Sequence, residues 1–238
     1  MNDNSVRYFS GWWAILFIFL SFNLITFPFA ILISYLGDWV YQNPVVVDMN
    51  YLGEVTMHPI ADNLVSIFSM TALLGFVLWR TTARNIPISD FGLLTLQKKD
   101  LLYGTIFLSL FIILEEIYMF AIGLEMPEGF ITFMLSEPLI LGIISVIIIA
   151  PIIEEFIFRG FLFSQLARTR LGGWGSVCLS SLLWTIIHFQ YESLILVVLF
   201  MFGIFLGYIR MAYNSLALPI ALHAVNNSFA LFMAYYFY

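Results

Sequence analysis

The sequence predicts an all-α fold, a polytopic transmembrane helix bundle of about seven or eight spans with an intramembrane cavity. Three observations carry this. Of 238 residues, 62% are hydrophobic and only 10% charged, where a soluble domain carries about 25% charge; mean hydropathy is +0.98. Seven apolar runs, at about 11–36, 61–80, 101–123, 138–164, 173–190, 193–210 and 215–236, approach or exceed the roughly 20 residues that a helix needs to cross ~30 Å of hydrocarbon. None shows barrel-type alternation, and backbone facing lipid must satisfy its own hydrogen bonds, so the runs are expected as helices.

The chain reads as one membrane domain over 1–238, with three N-terminal spans in 1–137 and a core region in 138–230. The first run, Gly11 to Leu36, is too long for a signal-peptide core and lacks a small-residue cleavage site, so it is expected to be retained. Lysine and arginine placement orients the spans. Arg7 precedes the first; Arg80, Arg84, Lys98 and Lys99 flank the second connection; Arg168 and Arg170 follow the fourth span and Arg210 the sixth. The alternate connections, 37–60, 124–137 and 191–192, hold only acids: Asp38, Asp48, Glu54, Glu125, Glu128, Glu137 and Glu192. This places the N-terminus in the cytoplasm of a multi-pass cell-membrane protein. Trp12, Trp13, Trp79, Trp174 and Tyr208 on one side, with Trp39, Tyr41, Tyr191 and Tyr235 on the other, suit interfacial belts. The connection 81–100 reads as an interfacial segment or a bland linker. Gly203 and Gly207 have the spacing that lets two helices approach closely. No basic cluster points to nucleic acid. The single Cys178 allows no intrachain disulfide and reads as a small core residue.

One span departs from this apolar background. After an uncharged run come Glu154, Glu155 and, four residues later, Arg159. Charges at the bilayer centre cost roughly 2.5–3.5 kcal/mol on insertion scales, so they usually face a bundle interior and mark function. Glu155 and Arg159 share a helix face and can pair; Glu154 points about 100° away. One glutamate is neutralised and the other is left over.

At 1.5 Å per residue from the cytoplasmic ends, Glu154 lies roughly 18 Å deep, His188 roughly 21 Å, His223 roughly 10 Å and Asn227 roughly 16 Å. These groups from three spans can therefore meet in one layer. His223 and Asn227 are i and i+4, as are Trp184 and His188, so an indole can back that imidazole. Taken singly, a His or Asn in a span is more often a helix–helix hydrogen bond than a working group. Glu115 and Glu116 are a second adjacent pair, without an arginine four residues on; they are either protonated or line the cavity from the far side.

The ordered trio Glu154-Glu155-x-x-x-Arg159, Trp184-x-x-x-His188 and His223-x-x-x-Asn227 resembles the three motifs of the CPBP family, over roughly residues 138–230. That family contains CAAX prenyl endopeptidases and bacterial bacteriocin-processing and self-immunity (Abi-type) membrane proteins. The second motif usually begins with Phe, and here position 184 is Trp. The resemblance implies an intramembrane protease, a hydrolase open toward the cytosol. By that resemblance Glu154 would activate a water with the help of His188, His223 and Asn227 would stabilise the oxyanion, and the Glu155–Arg159 pair and Trp184 would give structural support.

Rival readings use the same residues. Glu154, His188 and His223 provide two imidazoles and a carboxylate, a workable catalytic zinc set, although no His-Glu-x-x-His is present; the metal-free, cofactor-free mechanism is preferred. A non-catalytic immunity or scaffold protein of the same fold would be marked by decayed motifs, and these are intact. A transporter would line the whole membrane depth with polar groups, which the first, second and sixth spans lack. The expected partners are the lipid bilayer and a peptide precursor or membrane-anchored protein, with nothing to select between prenylated and unmodified substrates.

Overall fold

The computed structural model describes residues 6–41, 59–92, 94–135 and 139–237. Asp48, Glu54 and Glu137 of the charge map lie outside them, as do the side chains of Asp38, Trp39 and Tyr41. Among the described residues the chain is helical without strands. The helices are α1 (Gly11–Tyr41), α2 (Pro59–Thr82), α3 (Lys98–Ile122), a short α4 (Glu128–Met134), α5 (Leu139–Leu166), α6 (Gly172–Ile186), α7 (Ser193–Tyr213) and α8 (Ala217–Phe237). All seven apolar runs are helices. Among the described residues α3, α5, α7 and α8 are long and apolar enough to cross a membrane, and the all-α membrane bundle stands.

Helix α5 is the spine. Its ends are α-helical, but Ile143–Ile149 and Phe156–Leu162 are π-helical. The cause of the first is visible in the sequence. Pro151 has no N–H, and the Ala150 N–H reaches back five residues to Ser145 O. Val146 O is then passed over by both, and it accepts instead from Asn227 Nδ2 of α8 at 2.8 Å. In the second segment the Phe163 N–H bonds Gly160 O and Phe158 O, passing over Arg159 O. That carbonyl accepts from Arg210 Nε of α7 at 3.1 Å. Each widened turn therefore frees a carbonyl, and a side chain from another helix takes it. π-Helical turns inside helices are frequent at functional sites.

The other helices wrap this spine. Helices α6 and α7 pack backbone to backbone through the glycine pair. A Cβ at Gly203 would lie 3.0 Å from Ser181 Cβ, and one at Gly207 would lie 3.0 Å from Val177 Cγ1. On the opposite side of α5, Phe9, Phe17 and Phe161 form an aromatic cluster that fastens α1, and Phe17 stacks on Phe76 of α2. Helix α3 is peripheral, with Phe120, Ile113 and Ile117 exposed.

Two expectations change. The 81–100 connection is not a bland linker. A 3-10 turn at Ile88–Phe91 drives Phe91 into the core, 1% exposed and edge-on to Phe156 at 5.4 Å. Cys178 is exposed rather than a core residue, because α6 buries its serine face, Ser176, Ser180 and Ser181, instead.

Arg210 ties these parts together. It is 4% exposed and donates from Nε to Phe91 O and Arg159 O, and from Nη1 to Asn214 Oδ1. Gly92 makes room for it: its φ is +110°, and a Cβ there would lie 2.8 Å from Arg210 Nε. Arg210→Ala leaves at least two buried carbonyls without donors, at ~1–3 kcal/mol each. We expect the variant to lose about 3 kcal/mol of stability, read from unfolding in mixed micelles. An unchanged midpoint would rule out the tether.

Candidate active site

The adjacent glutamates of α5 diverge as the helix geometry requires. Glu155 and Arg159 are both fully buried and paired, Nη1 to Oε1, at 3.0 Å. Arg159 also donates from Nη2 to Gly203 O at 3.2 Å, and its guanidinium lies 4.9 Å from the centre of the Trp184 ring. The same Glu155 Oε1 meets His223 Nδ1 at 2.9 Å. The expected brace thus has a third member, since His223 is anchored on it. Among the described residues Glu155 Oε2 and Arg159 Nε have no hydrogen-bond partner.

Glu154 turns the other way, into a cavity of about 400 Å³. The structure brings His188, His223 and Asn227 onto that cavity as well, together with Trp184. Three helices and one turn supply them: α5, α6, α8 and the residues just past α6. His188 was expected within the fifth span, but α6 ends at Ile186 and His188 lies in the turn that follows. Its Nδ1 is 2.9 Å from Trp184 O. A carbonyl only accepts, so Nδ1 carries the hydrogen and, in the neutral ring, Nε2 is left as an acceptor. The Trp184 and His188 rings are 4.8 Å apart at 58°, which realises the backing contact.

Trp184 does more than back the imidazole. Its Nε1–H donates to Glu154 Oε2 at 2.7 Å. No pattern in the sequence pointed to that bond, because indole and carboxylate sit 30 positions apart on different helices.

Other cavity residues were read differently or left open. Glu115 and Glu116 line it from α3, as one of the two alternatives held. Tyr191, assigned to an interfacial belt, also lines it and stacks on His188 with ring centres 6.2 Å apart at 16°. Burial pushes the Tyr191 phenol above its ordinary range, and the Glu154 charge adds to this against the Gln190 hydrogen bond. The phenol therefore stays protonated at neutral pH. Met70, Met119, Met126 and Met233 complete much of the apolar wall, a soft lining that adapts to different side chains. Among the described residues no three His, Cys, Asp or Glu side chains are grouped so as to hold a metal ion.

A membrane helix bundle that turns a carboxylate, two imidazoles and a carboxamide onto one internal cavity defines a class, that of intramembrane proteins with a polar reaction or binding chamber. Residues 136–229 match the family model described as Type II CAAX prenyl endopeptidase Rce1-like. The match bears out the CPBP resemblance, and the matched segment contains all three motifs. The chain is also 30% identical over 114 residues to a protein of Escherichia coli described as an uncharacterized 24.3 kDa protein. That similarity covers 45% of this chain and 52% of the other, so the chain spans about half the length of this relative. No solved structure matches the chain.

Removing either partner of a buried ion pair leaves an uncompensated charge, at about 3–5 kcal/mol. Glu155→Ala and Arg159→Ala should each lower the unfolding midpoint and the yield of folded protein by that order, with Arg159→Ala also loosening the Trp184 ring. If both variants unfold with the parent, the pair is not the brace described above.

Proposed function

We propose that this protein is an intramembrane endopeptidase of the glutamate type, in which Glu154 takes a proton from water and the resulting hydroxide attacks a peptide carbonyl. The observation that carries the reading is the convergence of Glu154, His188, His223 and Asn227 on one cavity. Support comes from the family description, which is that of a prenyl endopeptidase. The hydrogen bonds fit the roles. His188, holding its proton on Nδ1, offers Nε2 to the water as acceptor. His223 rests its Nδ1 on the Glu155 carboxylate, which holds its ring at the cavity wall. Asn227 has one amide hydrogen committed to Val146 O and a second available. Donors aimed at a developing oxyanion in a dry site are commonly worth 10²–10³ in rate each.

The substrate in this proposal is a membrane-anchored protein or a peptide precursor, entering from the cytoplasmic side of a cell membrane with the N-terminus of the chain in the cytoplasm. The mechanism needs no metal or other cofactor.

Two measurements test it. Comparing the membrane peptidome of cells expressing the parent or Glu154→Gln should reveal fragments present only with the parent, while the variant folds and melts like the parent. An identical peptidome would sink the protease reading in favour of a binding or immunity role. Exhaustive chelation of the purified protein should leave cleavage of those substrates intact; loss of activity restored by zinc would reverse the metal-free assignment.

A further inference from the structure

In the motif that begins at position 184 the resembling family usually has Phe, and this chain has Trp. The change keeps an aromatic wall and adds one hydrogen-bond donor. In the structure that donor is spent on a single acceptor: Nε1–H to Glu154 Oε2, 2.7 Å, with the indole 2% exposed. The distance is at the short end for N–H···O. An indole N–H can only donate, so the bond leaves the carboxylate acceptor-only on Oε2. Among the described residues no second donor bonds Glu154, and the side chain lines the cavity. Oε1 is the oxygen left to face it.

The ring itself is held from three sides. Arg159 lies over it at 4.9 Å, His188 packs at 4.8 Å, and His223 meets it edge-on with ring centres 5.7 Å apart at 89°. Rotating the indole would break all of these contacts, so the N–H direction is fixed by the same cluster that places the two imidazoles. A buried Trp needs some partner for its N–H, and packing alone would be content with any carbonyl. Here the partner is the one carboxylate that the ion pair leaves over.

We propose that Trp184 is a positioning residue: its N–H pins Oε2 so that Oε1 receives the proton of the attacking water. The water O–H bond breaks and the proton ends on Oε1; the hydroxide bonds the substrate carbonyl carbon as the C=O π pair moves to its oxygen, and collapse of that oxyanion breaks the C–N bond, the leaving amine taking the proton from Oε1. The proposal rests on the reading of Glu154 as the base, and the experiment separates the two.

The full chain is purified in detergent micelles with ¹⁵N-indole tryptophan. The Trp184 N–H resonance, recognised by its absence in Trp184→Phe, should lie downfield of ordinary indoles and move upfield in Glu154→Leu; a resonance identical in parent and Glu154→Leu would overturn the contact. Because Phe is smaller than Trp and could disturb the packing, the functional arm uses β-(3-benzothienyl)alanine at position 184, an isostere with sulfur in place of N–H. The readout is the rate of release of the Glu154-dependent membrane peptides. Losing a hydrogen bond to a charged group should slow release by about ten- to a hundredfold, with the unfolding midpoint unchanged. Release at the parental rate would overturn the inference and leave the protease reading intact. Absence of any Glu154-dependent peptide would overturn both.

Discussion

The buried pair between Glu155 and Arg159 is the interaction on which the rest of this structure depends. Two full charges with no solvent access sit in an apolar bundle, where desolvation can exceed the Coulombic gain. They persist because neighbours share the burden. Gly203 O and the Trp184 face sit against the guanidinium, and His223 sits on the carboxylate. Each of these contacts recruits a different helix, so satisfying one ion pair also sets the relative placement of α5, α6, α7 and α8. Gly203 shows the economy of this: it lets α7 close on α6 and presents its own carbonyl to Arg159.

The same helix is widened where it must accept outside partners. A regular α-helix bonds its interior carbonyls along its own axis, leaving little for a neighbour. The π turns of α5 release Val146 O and Arg159 O, and those two carbonyls are where Asn227 and Arg210 attach. The first ties α8 to the chamber wall; the second ties the end of α7 and the 3-10 turn to the ion-pair segment. Each carbonyl freed by a widened turn is thus met by a donor from another helix, as an environment without water demands.

Much of this was legible in the chain. Apolar runs placed seven helices, though that of the fifth run is shorter than expected, and i, i+4 spacing anticipated both the Glu155–Arg159 pair and the Trp184–His188 contact. The depth count brought Glu154, His188, His223 and Asn227 to a common layer, which the cavity realises. What escaped was everything carried by a long sequence separation or by a local departure from regular helix. Arg210, read only as a marker of orientation, is a buried tether, because its partners are carbonyls and a carbonyl has no sequence signature. Tyr191, read as an interfacial aromatic, turns inward onto His188. Cys178 was assigned to the core by the apolarity of its surroundings, yet α6 buries its small polar face, whose hydroxyls bond back to the preceding turn as Ser176 and Ser180 do.

By itself the sequence determined the class of environment, the helices, and the inequality of the two glutamates, since periodicity alone puts Glu155 beside Arg159 and Glu154 away from it. Only the tertiary structure decided what the free glutamate touches. The indole that reaches it belongs to another helix, and its direction is set by packing against Arg159, His188 and His223 at once. A pairwise rule along one helix cannot express that dependence, because it arises when four helices close around the same charges.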